Sequence, residues 1–201
     1  MRLSALACLA ALFAIPVHAS DWSLAKEEDG IKVFLKEVPG STFKAFRGET
    51  TINADAAVIK RLQEDVEGSC EWLHACESQR LLKQEGNEAW SYTRIDTPWP
   101  AKPRDSIVHV TNEPLAGGGF KRTLQGAPTY LPEESGYVRV SELDGYWRVE
   151  PVSEGKVKVT YEVHTEPGGE VPAWIVNKFV VDAPFNTLSG LRELAESKAG
   201  R

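Results

Sequence analysis

The sequence predicts an α+β fold: an antiparallel sheet with one long helix, at the C terminus, lying across it. Three observations carry this. Residues 156–164 alternate, with Val157, Val159, Tyr161 and Val163 on one side and Lys156, Lys158, Thr160, Glu162 and His164 on the other. That is a strand with one dry and one wet face. Many consecutive short strand-like runs are joined by short turns, which favours antiparallel neighbours over βαβ units. The last stretch carries a helical stripe, Ile175, Phe179, Ala183, Thr187 and Leu191, widened by Val176, Val180, Leu188 and Leu194. Such a stripe must be hidden against another layer.

In chain order, residues 31–38 and 43–52 read as strands around the turn Pro39-Gly40-Ser41. Asn53 or Asp55 caps a helix over 55–66, where Val58, Ile59, Leu62 and Val66 share a face. Strands are expected near 78–85, 88–96, 105–113, 119–126, 136–142, 145–152 and 156–165, with turns at Gly86-Asn87, Gly117-Gly118-Gly119 and Ser153-Glu154-Gly155. The final helix opens at Pro172. Pro184 lies inside it, and an internal proline removes one helical bond, so a kink or change of helix is expected at 180–184. The small side chains of Ala183 and Thr187 leave room where a covering helix would normally fill it.

Residues 1–19 are expected to be a cleaved signal peptide: Arg2, an apolar run over 3–15, then Val17-His18-Ala19 with cleavage after Ala19. The run is too short for a membrane span. A retained anchor is the competing reading, and a lipoprotein at Cys8 is rejected because almost no apolar run precedes it. Residues 20–201 then form one domain, exported to the periplasm. Losing Arg2 alone leaves 22 basic against 29 acidic residues, a formal charge of −7. An acidic chain without a basic run disfavours nucleic acid and anionic headgroups. Any membrane contact should be transient and hydrophobic.

Cys70 and Cys76 are the two cysteines left, an even count that suggests a disulfide in an oxidising compartment; two buried thiols are the alternative. His74 lies between them, but Cys-x3-His-x-Cys offers only three ligands without the paired spacings of zinc sites, so no metal and no cofactor is expected.

The ordered set Trp22-Ser23-Leu24, Gly30-Ile31-Lys32-Val33, Phe46-Arg47-Gly48, Trp72, Trp99-Pro100 with Arg104-Asp105, Gly136-Tyr137-Val138-Arg139-Val140, Tyr146-Trp147-Arg148-Val149-Glu150-Pro151 and Pro167-Gly168-Gly169 through Trp174 resembles the START family of lipid transfer domains. The resemblance implies a helix-grip fold, a curved antiparallel sheet wrapped around the last helix with an apolar tunnel between them. It implies a tunnel lined by Ser91, Thr93, Ile95, Val108, Val110, Val159 and Tyr161 from the sheet and by Ile175, Phe179, Ala183, Thr187 and Leu191 from the helix. Hydrophobic patterning alone would instead bury Trp90 and Tyr92, on the opposite face of 88–96, and a one-residue slip flips every side chain. Sterol-binding members carry an acid and an arginine where this chain has Ser91 and Val110, which implies a less polar pocket suited to acyl chains or another apolar molecule.

No catalytic residues are assigned. Gly-x-Ser-x-Gly and His-Glu-x-x-His are absent from the sequence. Ser189 lacks a strand-turn context. His164 is read as solvated, and His109 as bonded outside the tunnel. Arg104-Asp105 reads as a loop-fixing pair, and Arg139 and Arg148 as solvent-facing. Trp174 is either core or a lid over the tunnel. The leading expectation is a monomeric, non-catalytic carrier of a lipid or other hydrophobic molecule. Two alternatives stay open: a helix-grip enzyme acting on an apolar substrate, cyclase- or hydrolase-like, and an interaction module whose cavity has closed.

Overall fold

The computed structural model describes residues 21–200, so the expected signal peptide at 1–19 lies outside the described residues. Among them, the strands are β1 (Ser23–Glu28), β2 (Ile31–Lys36), β3 (Ala45–Ile52), β4 (Cys76–Glu85), β5 (Glu88–Ile95), β6 (Arg104–Pro114), β7 (Phe120–Gly126), β8 (Val138–Arg139), β9 (Glu142–Ser153) and β10 (Lys156–Glu166). The helices are α1 (Ala56–Glu64) and α2 (Ala173–Ala199). The sheet order is β1-β2-β3-β10-β9-β7-β6-β5-β4, antiparallel throughout that path, and β8 adds to β6 in parallel. Both helices lie on one face and the sheet curves around them, the helix-grip arrangement.

The alternation of β10 is realised: Val157, Val159 and Val163 are almost fully buried. Val157 and Val159 meet Val149, Ile31, Ile52, α1 residues Ile59 and Leu62, and α2 residues Leu188, Leu191 and Ala195 in one core. Two approaches fix α2 on the sheet. At Gly48 of β3 a β-carbon would stand 2.6 Å from Leu188 Cδ1 and 3.4 Å from Pro184 Cβ, so any side chain there would have to displace the Leu188 methyl under the helix. Further along, the backbone N–H and the side-chain amide of Asn53 both donate to Glu196 Oε1 at 2.9 Å. Arg192 donates to the Asp29 carbonyl at 2.6 Å.

The expected interruption at 180–184 does not divide α2, which runs as one helix through Pro184. Proline still removes the N–H that would bond the Val180 carbonyl. Its ring is buried against β3, and that packing offsets the lost bond. Strand 136–142 shrinks to the two residues of β8. Strand β1 has no counterpart among the expected elements, because Leu24 is the only large apolar side chain in Ser-Leu-Ala-Lys-Glu-Glu and this edge strand is mostly exposed.

Cys70 and Cys76 are bridged, with α-carbons 5.0 Å apart. Closing so short a loop contributes about 2 kcal/mol on the chain-entropy model. The bond consumes both thiolates, so the metal reading around His74 loses two of its three ligands. Among the described residues no helix is long and apolar enough to cross a membrane.

Candidate functional site: an apolar chamber under the C-terminal helix

The N-terminal half of α2 does not touch the sheet solidly. Beneath it lies a chamber of about 200 Å³ whose walls are mostly hydrocarbon. Ile175, Val176, Phe179, Val180, Ala183 and Thr187 form its roof. Phe46 of β3, Tyr161 and Val163 of β10 and Leu143 of β9 form one wall. Ile95 of β5 and Arg104 and Ser106 of β6 form the opposite wall, and Leu73 and His74 close one end. Behind the lining an aromatic series runs into the core: the Tyr161 ring stacks on Trp147 at 3.8 Å, and Trp147 meets Trp72 edge-on at 5.9 Å.

One boundary crosses the whole fold and sorts the expected lining residues. Ile95, Tyr161, Ile175, Phe179, Ala183 and Thr187 line the chamber. Ser91, Thr93, Val108, Val110, Val159 and Leu191 do not. Val159 and Leu191 are fully buried in the core on the far side of the boundary. The reason is α1: Ile59 and Leu62 pack beneath the C-terminal half of α2 and fill the volume that a full-length tunnel would need. Ser91 and Thr93 share the Ile95 face and pair with Val108 and Ser106, but they sit further from the chamber along β5 and β6. Residues that the pattern implied without being singled out also line it, notably Val163 in the β10 alternation and Val176 and Val180 in the helical stripe.

The parity of β5 follows Ile95, leaving Trp90, Tyr92 and Arg94 on the outer face. Tyr92 is nonetheless buried, because residues 127–137 fold across that face. There Asp105 accepts from Arg139 Nε at 3.0 Å and Nη2 at 2.9 Å and from the Tyr92 hydroxyl at 3.0 Å. Arg139 is therefore buried and paired instead of facing solvent. Arg148 is half-exposed, beside Glu150. Asp105 and Arg104 do not pair with each other: Arg104 donates to the carbonyls of Lys102, Gly168 and Glu170, tying β6 to the loop before α2. His109 stacks on Trp90 at 4.3 Å, with Nε2 3.2 Å from Glu88, away from the chamber.

Few polar groups face the hollow. No hydrogen bond of the Tyr161 hydroxyl is found among the described residues, and burial pushes its pKa up, so it stays a neutral phenol. Burial also pulls the His74 pKa below 6.5, with Asp182 opposing and Lys178 reinforcing the shift. The folded protein thus holds His74 neutral at a pH where the unfolded chain takes up a proton. Stability should be complete above pH 6.5 and fall as pH drops from there toward the folded pKa. Urea unfolding across pH 5–7.5 is expected to show this slope in the native chain and a flatter one in His74→Gln; equal slopes would contradict it.

Beside the chamber, Ser41, His164 and Glu166 cluster, so His164 is half-buried and not simply solvated. Ser41 Oγ donates directly to Glu166 and lies 3.2 Å from His164 Nε2, and the same Nε2 is 3.5 Å from Glu166. A relay needs the two ring nitrogens to face different partners, base toward serine and orienter toward acid. Here one nitrogen meets both, so the cluster is not a nucleophile-base-acid relay.

A curved sheet closed by a C-terminal helix over an apolar hollow defines a helix-grip cavity protein. The sequence model of the START domain matches residues 14–197, and the chain belongs to the START domain family. An uncharacterized protein of Pseudomonas aeruginosa is 54% identical over 200 residues, covering 98% of each chain. A crystal structure of a STAR-related lipid transfer protein from Xanthomonas axonopodis is 36% identical, with a TM-score of 0.81, covering 87% of this chain and 98% of that one. The phosphatidylcholine transfer protein of Mus musculus is 22% identical over 165 residues, covering 79% of this chain and 76% of its own length.

Proposed function

We propose that the chain is a monomeric, non-catalytic binding protein that holds a lipid or another hydrophobic small molecule in the chamber and carries it through the periplasm. The observation that supports this most is the chamber itself, hydrocarbon-walled and roofed by one helix. An engineered apolar void of about 150 Å³ takes up benzene, so a hollow of about 200 Å³ admits part of an acyl chain without rearrangement. Each buried methylene contributes about 0.8 kcal/mol, so a long chain supplies on the order of 10 kcal/mol before costs. Pockets for whole ligands span roughly 300–1,000 Å³. A full lipid therefore requires the N-terminal half of α2 to swing away while the C-terminal half stays anchored by Leu188, Leu191 and Glu196. The Tyr161 hydroxyl is the polar handle for the ligand.

Relatives described as lipid transfer proteins favour the same reading. The two large exposed indoles suit a brief contact with a membrane. Trp99 is 87% exposed and Trp174 is 56% exposed, and they flank the lining residues Thr97 and Ile175. Export after cleavage at Ala19 belongs to the same reading. Native mass spectrometry of the protein recovered from the periplasm, followed by organic extraction, is expected to yield one apolar molecule per chain. Folded protein that carries none and takes up none from vesicles would sink the proposal.

A further inference from the structure

A second cavity, of about 580 Å³, lies at the other end of the same sheet face, between α1 and strands β4–β7, and shares no lining residue with the chamber. Its walls include Lys60 and Glu64 of α1, Ala89 of β5, Asn112 of β6, and Phe120 and Arg122 of β7. Arg122 is the anomaly. It is only 6% exposed, its Nη1 is buried without a hydrogen-bond partner, and no ion pair to it is found among the described residues. Glu64, the carboxylate whose charge it feels, stands instead 3.7 Å from Lys60 Nζ. Burial draws the guanidinium pKa down to about 10, so the group is still a cation at neutral pH.

The sequence forces this position. In β7 the residues Phe120, Arg122 and Leu124 share one face by alternation, and their register partners Val149, Trp147 and Gly145 include two members of the core. Turning Arg122 outward would turn Phe120 and Leu124 outward with it. A buried cation with no counter-charge costs several kcal/mol, and an apolar side chain of similar volume would be more stable. A buried donor left open beside a roomy cavity takes its acceptor from water or from a ligand that enters the cavity. Charge-assisted bonds from guanidinium to carboxylate or phosphate oxygens are the strongest such contacts.

We propose that this cavity is a second binding site, for a molecule that presents a carboxylate or phosphate group to Arg122. Ala56, Val66, Ala89, Leu81, Leu115 and Phe120 supply apolar wall beside the guanidinium. The anionic group therefore arrives either as the head of a single-chain amphiphile or as a free small anion. The site stands apart from the chamber and does not depend on what the chamber holds.

Calorimetric titration of the full chain with octanoate, octanol, acetate and inorganic phosphate tests this. Octanoate is expected to bind at least tenfold more tightly than octanol, and Arg122→Met is expected to erase that difference while leaving octanol unchanged. If acetate or phosphate also binds in an Arg122-dependent manner, the natural ligand class includes free anions. If octanoate alone does so, the class is an amphiphile head. Arg122→Met removes an unpaired buried charge, so its melting temperature should equal or exceed that of the native chain. Should it fail to fold, Glu64→Gln keeps the proposal open to refutation, because removing the competing carboxylate is expected to strengthen octanoate binding severalfold. Octanoate binding that is the same in the native chain and Arg122→Met, or no binding of any of the anions, would overturn the site and leave a water-filled cleft. If Arg122→Met does not fold, unchanged octanoate affinity in Glu64→Gln would overturn it equally.

Discussion

Ala183→Trp is expected to abolish capture of an acyl-chain ligand while leaving the protein folded. Ala183 lies in the chamber roof, directly before Pro184, and an indole there occupies most of a hollow of about 200 Å³. Excluding four methylenes forfeits roughly 3 kcal/mol, about a hundredfold in affinity. Overpacking a filled core costs about 1–3 kcal/mol, but here the added ring enters a void, so the melting temperature should move little. The check is retention of a fluorescent fatty alcohol, which brings no anionic head to Arg122, by the variant, beside its thermal unfolding curve. Undiminished retention in folded Ala183→Trp would show that the ligand lies elsewhere.

Asp105→Ala is expected to be the most damaging single change to stability, by about 3–5 kcal/mol. Asp105 is fully buried and forms a two-point pair with Arg139, whose other N–H groups donate to the carbonyls of Pro128, Leu131 and Pro132. Removing the carboxylate strands a buried guanidinium, releases the cover over β5 and β6, and loosens Val140, a chamber residue that follows Arg139 directly. The double variant Asp105→Leu with Arg139→Met should recover much of the loss, since it leaves no unpaired charge. Equilibrium urea unfolding measures both. A cost below about 1 kcal/mol for Asp105→Ala would mean that the pair does not hold the cover in place.

The central architecture was legible because β10 and α2 each present one clean periodicity, and the turns at Gly86-Asn87 and Ser153-Glu154-Gly155 divide the strands where they do in the fold. Four features were not legible, each for a physical reason. The burial of Arg139 escaped because alternation assumes one wet face, and residues 127–137 remove that face from water over β5 and β6. The same cover buries Tyr92 on the outer face while Thr93 is buried on the inner one, so hydrophobic pattern could not set the parity of β5, whereas the family resemblance did turn Ile95 toward the chamber. The extent of the hollow was overread at Val159 and Leu191. Whether a striped helix covers a void or a packed core depends on a third element, α1, whose docking position no local pattern encodes. Arg122 carried no signal of its own, since a lone arginine in an alternating strand reads as solvent-facing until its neighbours are seen.

Direct location of a bound chain is the sharpest test. With a ¹³C-labelled fatty alcohol bound to the methyl-labelled protein, intermolecular contacts are expected at Val163, Ile175, Val176 and Val180, and at none of Val157, Val159 or Leu191. Contacts confined to the α1 end, or an absence of contacts with α2 methyls in a saturated complex, would contradict the chamber as the binding site.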